Sequence, residues 1–242
     1  MKCGILIIGS LYWDNENGRK DWRERRLVTD ASMSVSSPIY YGRKSSSRGD
    51  TYTMTFRQGE PTGSAVLMPC QCEIETIDDL KREAEALWKA EAPNSHPGVI
   101  GSNWGCVGAL IRSEEAKASL SAAWTEHFQT FRKESLSVVG ADGVLDVVWP
   151  ETANRMPADM DIILATATKP AGVAPGAHSV ADAWLGQSGG YESYFLENVR
   201  HGIRTFDDGE IWRRIEEQSP DWLNSEDYAL AIETLRGEAA NR

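Results

Sequence analysis

Short apolar runs of β character come first along this 242-residue chain, and helical periodicity takes over after about residue 170. The β-like runs fall at 3–8, 33–35, 51–56, 64–68, 104–111, 144–149 and 162–168. In 51–56, Tyr52, Met54 and Phe56 alternate with threonines, the period-2 pattern of a half-buried strand. Helical patterns follow at 180–185, 191–201, 210–218 and 226–236. Strands grouped first and helices grouped later predict an α+β fold rather than a strictly alternating α/β sheet. No internal repeat or long low-complexity linker divides the chain, so residues 1–242 read as a single domain with a helical C-terminal region.

Two helices interrupt the strand-rich part. The first is expected to start at Thr76 as N-cap, with Asp79 in the capping-box position, and to end before Pro93. Its apolar stripe is Ile77, Leu80, Ala84 and Leu87, which defines a buried face. The second is expected from Ser113, with Glu114 and Glu115 favouring the positive N-terminus and Ala116, Leu120, Ala123 and Phe131 turned inward.

The formal charge of −11 and a pI near 4.9 argue against nucleic acid or an anionic membrane surface as partner. Apolar stretches as short as Ile5-Ile8 do not span a bilayer, and a single lysine before a brief apolar run is too short for a secretory signal. A cytoplasmic protein is expected. Cys3 and Cys106 lie in apolar runs and read as reduced, packed hydrophobes; Cys70 and Cys72 form a C-x-C without the second Cys/His pair of a zinc site. No metal site is expected.

One further step of four along the first helical stripe reaches Glu91. A carboxylate there either points into water at the helix end or lies where burial and unpaired carbonyls disfavour its charge, which suits a general base. The second feature is Gly9-Ser10-Leu11, directly after the first strand. A glycine there allows a sharp turn that aims backbone N–H groups at an oxygen-rich ligand, although neither the Walker nor the G-x-G-x-x-G spacing is present.

In combination, these features resemble the γ-glutamyl cyclotransferase-like superfamily. Ile7-Ile8-Gly9-Ser10-Leu11-Tyr12-Trp13 is similar to its Y-G-S-[NL] loop, with Ile8 in place of the loop tyrosine. Gly63-Ser64-Ala65-Val66-Leu67, Leu80 and Leu87-Trp88-Lys89-Ala90-Glu91 resemble its strand and its helix ending in L-D-x-x-E, without the aspartate. Tyr191-Glu192-Ser193-Tyr194-Phe195-Leu196 followed by His201-Gly202-Ile203 resembles its Y-x-x-x-[LI] helix and G-[LI] turn. The likeness covers about residues 3–93 and 191–215, with 113–135 as an insertion.

The resemblance implies a small, mixed, partly closed β-barrel flanked by helices and an enzyme acting on a γ-glutamyl amide. The substrate's own α-amine would attack its side-chain carbonyl and release 5-oxoproline. Glu91 would be the base, the 9–11 amides would hold the oxyanion, Ser10 would orient substrate, and Tyr191 would reach the site. The implied partner is a small-molecule amide or amino-acid-derived substrate, with neither metal nor cofactor. A catalytically silent binding domain on the same scaffold is the alternative. Protein interaction through Trp212 and Trp222 is a third reading, against packing of these rings between C-terminal helices.

Other residues carry weaker signals. Arg43, Lys44 and Arg48 make a basic, serine-rich loop at 42–49 that either clamps a substrate carboxylate or is simply solvated. His127 falls on the second helix's apolar face and reads as a hydrogen-bonded core histidine. His96 lies in a turn soon after Glu91, and Asp182 reads as the capping partner of Ser179. No spacing of Ser, His, Cys and Asp suggests a hydrolytic triad, and no feature fixes the oligomeric state.

Overall fold

The continuous apolar run Cys3–Ile7 forms β1, buried on both faces at the middle of a sheet. The computed structural model describes residues 1–45, 49, 51–60, 62–186 and 191–240. On one side β1 pairs antiparallel with β5 (Gly63–Pro69), with Leu6 opposite Leu67. On the other it pairs parallel with β7 (Ile162–Thr168), with Gly4 opposite Ile163. β2 (Met33–Ser37) and β6 (Gly105–Ile111) complete the mixed order β2-β5-β1-β7-β6.

Two further strands, β3 (Ile39–Ser45) and β4 (Thr51–Phe56), form a separate antiparallel ribbon. The ribbon reaches the main sheet through side chains: Thr55 Oγ1 donates to the Thr168 carbonyl at 3.0 Å, and Thr168 Oγ1 donates to Thr55 Oγ1 at 2.9 Å. Among the described residues, no backbone ladder closes either sheet into a barrel. The fold is α+β, with an open five-stranded sheet where the resemblance led to an expected partly closed barrel.

The helices are α1 (Arg19–Arg26), α2 (Ile77–Glu91), α3 (Glu114–Phe131), α4 (Ala177–Leu185), α5 (Tyr191–Arg200), α6 (Asp208–Gln218) and α7 (Ala229–Ala240). Helix α2 starts as expected, with reciprocal Thr76–Asp79 capping: the Asp79 N–H donates to Thr76 Oγ1 at 3.3 Å and the Thr76 N–H to Asp79 Oδ2 at 2.7 Å. Ser113 caps α3. The buried stripe of α3 is Ala116, Leu120, Trp124 and Phe128, so Ala123 and Phe131 are only half-buried. Strict steps of four carry Trp124 and Phe128 onto the core face, where Trp124 Nε1 donates to the Gly143 carbonyl at 3.0 Å.

One cluster of buried apolar side chains runs from Cys3 to Ala239. The C-terminal helices are pinned to β5 by a buried polar knot. Arg204 donates to Asp208 at 2.9 Å and to Glu238 at 2.5 Å, and the Thr205 hydroxyl also donates to Asp208. The backbone of Arg204 pairs with Ser64. At Gly63 a Cβ would fall 1.9 Å from the Arg204 carbonyl oxygen, so only glycine allows this approach.

Several expectations change. Arg43 and Lys44 lie on β3 rather than in a loop, and Arg48 lies outside the described residues. The 144–149 stretch makes only isolated bridges, Val144 with Ala109 and Leu145 with Val139. Ser179 lies inside α4, whose N-cap is Gly176, and Asp182 instead accepts from Arg214 of α6 at 2.9 Å. His127 is half-buried on α3, with Nε2 lacking a hydrogen-bond partner among the described residues. Trp212 is buried in the core cluster, and the side chain of Trp222 lies outside the described residues. No helix among the described residues is long and apolar enough to cross a membrane.

Candidate functional site

The chain leaves β1 through Gly9, whose φ of +83° suits glycine and turns the backbone sharply. The Tyr12 N–H donates to the Gly9 carbonyl at 3.2 Å and the Asp14 N–H to the Ser10 carbonyl at 2.8 Å, which curls residues 9–14 into a compact loop. Helix α1 holds that loop from outside. Arg23 donates through Nη1 to the carbonyls of Leu11 at 2.6 Å and Asp14 at 2.9 Å, and through Nη2 to Asn15 Oδ1 at 2.5 Å. Burial lowers the pKa of Arg23 below the ordinary arginine value, and these three acceptors offset its lost hydration.

Arg19 lies four residues earlier, on the same face of α1. Its Nη1 donates to Asp14 at 2.5 Å and to Ser10 Oγ at 3.4 Å, and its Nε donates to the Ala90 carbonyl at 3.3 Å. Its Nη2 is 3.8 Å from Glu91 Oε2. Glu91, in the last turn of α2, retains 20% of its side-chain exposure and Arg19 retains 14%. Glu91 is therefore neither stranded in an apolar core nor turned fully into water. A guanidinium beside it compensates its charge, which the helical stripe alone did not reveal.

These groups converge on a cavity of about 140 Å³ lined by Ser10, Leu11, Arg19, Glu91, Arg43 and Tyr194, among others. The opposite wall comes from the strands: Arg43 and Ser45 of β3, Thr53 and Met54 of β4, and Thr166 and Thr168 of β7. Each of the pairs 43/45 and 166/168 is two residues apart, so both members project from one face of their strand. Thr166 is 6% exposed, and its Oγ1 has no hydrogen-bond partner among the described residues. A buried hydroxyl left this way at a cavity wall is a place for a polar ligand atom.

Of the residues singled out from sequence, Ser10, Leu11, Arg43 and Glu91 line this cavity, and Gly9 turns the chain at its edge. Tyr191 is buried at the start of α5 and is not among the lining residues; Tyr194, one turn later, lines the cavity. Tyr194 Oη accepts from the Met54 N–H at 3.2 Å, and a Cβ added to Gly9 would lie 3.2 Å from it. The phenol beside the loop thus comes from α5, while the aliphatic Ile8 lines the cavity. His96 is exposed and lines a separate hollow with Glu85 and Lys89.

Arg19, Tyr194 and Thr166 were not read from sequence as site residues. The i, i+4 spacing of Arg19 and Arg23 around Trp22 was an available signal for a basic helix face. Nothing local distinguishes Thr166 from any other strand threonine.

A wider hollow of about 580 Å³ lies between β2, β5 and the 148–155 segment, but its charged residues Glu60, Glu151 and Arg155 are all exposed. The smaller cavity carries the better chemistry because it sets a shielded acid, two guanidiniums and hydroxyls in one place. Among the described residues, no group of three or more His, Cys, Asp or Glu gathers to hold a metal ion. Burial pushes the Cys106 thiol up to about 12, the behaviour of a reduced core residue. Comparison of the chain with protein-family models, curated proteins and solved structures finds no match.

Proposed function

We propose that the chain is a γ-glutamyl cyclotransferase-like enzyme that cyclises a γ-glutamyl amide, with Glu91 as its proton acceptor. The observation that supports this most is that Glu91 and the loop after β1 share one polar cavity, although 80 residues separate Glu91 from Leu11. In this reading the ribbon β3–β4, tied to β7 through Thr55 and Thr168, serves as the partial closure of a barrel.

The chemistry follows from the groups present. The substrate's α-ammonium gives a proton to Glu91, and the freed amine attacks the γ-carbonyl carbon. The carbonyl oxygen takes up negative charge, for which the 9–11 amides would be the donors. As the amide C–N bond breaks, the protonated Glu91 returns its proton to the departing nitrogen, then takes the second proton that the ring nitrogen sheds and passes it to the released amine. The products are 5-oxoproline and the amine in its ammonium form, and no water is consumed. Arg19 Nη2 lies 3.8 Å from the Glu91 carboxylate that would accept the first proton. The test is incubation with γ-glutamyl amides and detection of 5-oxoproline. Its absence with every amide tried counts against the proposal.

The second reading is a silent binding domain on the same scaffold, and the Arg19–Glu91 contact is what favours it. A base already engaged by a guanidinium is also a plain structural ion pair. Ligand-dependent stabilisation without turnover would select this reading.

A further inference from the structure

Next to the polar cavity lies a second one of about 510 Å³, lined by Arg43, Lys44, Asn103, Trp104, Lys169, Pro170 and Ala171. Arg43 lines both. In a chain with formal charge −11, three cations meet here and no described carboxylate lines the wall. The wall is also built. The Arg43 guanidinium lies 4.4 Å over the Trp104 ring, and Trp104 packs against buried Trp88 with ring centroids 4.7 Å apart. The Lys169 N–H donates to the Trp104 carbonyl at 2.8 Å, and the Ala171 N–H to the Gly42 carbonyl at 2.7 Å. These two bonds staple the segment after β7 to β3 and to the start of β6, which brings Lys44 and Lys169 to the same rim.

We infer that this second cavity is an anion-binding subsite for a carboxylate or phosphomonoester on the part of the ligand that leaves as the amine. A guanidinium stacked on an indole fixes one positive charge in the wall, and two ammonium groups at the rim add charge where an anion arrives. The leaving-group assignment rests on the cyclotransferase reading; the anion site itself rests on the second cavity alone. Arg43 lines both cavities, so an anion held beside it lies next to the cavity that Glu91 lines.

The test titrates the protein at constant ionic strength with inorganic phosphate and, separately, with N-acetylglycine, which carries a carboxylate but no γ-glutamyl group. The proposal expects at least one probe to bind, and the tighter one identifies the anion class. The double variant Lys44→Gln/Lys169→Gln should weaken that binding by roughly tenfold or more. Binding of neither probe, or equal binding to the variant, overturns the proposal. A second arm compares γ-glutamylglycine with γ-glutamylglycinamide, whose leaving group lacks the carboxylate. The anionic substrate should have the higher kcat/KM, and the double variant should bring the ratio towards one; an unchanged ratio overturns the leaving-group assignment. If neither substrate is turned over, the cyclotransferase reading fails, and the titration alone still decides the anion site.

Discussion

The Arg19 guanidinium and the Glu91 carboxylate face each other across 3.8 Å, and the same guanidinium holds Ser10 and Asp14 of the loop after β1. One side chain of α1 thereby sets the distance between the end of α2 and that loop. Replacing it with an uncharged chain of similar length, Arg19→Met, should lower kcat/KM by about 10²-fold, the scale of a small misplacement of reacting groups. Arg19→Lys keeps the charge but loses the fork and should recover only part of that loss. Kinetics of both variants on one γ-glutamyl amide measure this, and activity within twofold of wild type for Arg19→Met removes the positioning role.

Gly9 is held at positive φ with the Tyr194 hydroxyl close to where a side chain would begin. Gly9→Ala should cost roughly 1 kcal/mol or more in urea unfolding, because the backbone strain adds to the contact. Adding Tyr194→Phe should relieve the contact without relieving the strain, so the double variant should regain only a fraction of the loss. Additive losses would mean the two residues do not meet.

Much of this architecture was legible because periodicity reports burial. β1, β4, β5, β6 and β7 all follow from apolar runs, and α2 from its capping box and stripe. Two elements at the site escaped. In β3 the bulge between Tyr41 and Arg43 breaks the alternation, so a basic, glycine-containing strand reads as a loop. In α1 every residue except Trp22 is charged, which leaves no apolar stripe to detect. Arg19 and Arg23 act by reaching the loop that precedes their own helix, a tertiary relation that spacing alone does not disclose. Glu91 was visible as a carboxylate on an apolar stripe, but its counter-charge was not, since Arg19 is 72 residues away.

The acid side of the stability profile should carry a histidine signature. Burial holds His127 and His201 below the ordinary histidine pKa of 6.5. Lys81 adds to the effect at His127, against Glu85 and Asp78. Arg200 and Arg23 add to it at His201, against Glu197. A lowered folded-state pKa means that the unfolded chain binds more protons between the two values, so stability rises with pH in that window. The contribution is present above 6.5 and is lost as pH falls below it through the folded-state values. Melting at about pH 5.5 should lie below melting at about pH 7.5, and the drop should shrink in His127→Gln/His201→Asn. An identical drop in the double variant assigns acid sensitivity to the carboxylates instead.

The central claim is that Glu91 moves the proton. Glu91→Gln preserves the size of the side chain and a hydrogen-bonding end beside Arg19, but cannot accept a proton from an ammonium. With a γ-glutamyl amide that the wild-type protein converts to 5-oxoproline, the variant should lose at least ~10²-fold in kcat while substrate affinity changes much less. Equal turnover by the two proteins would contradict the assignment and remove Glu91 from the chemistry.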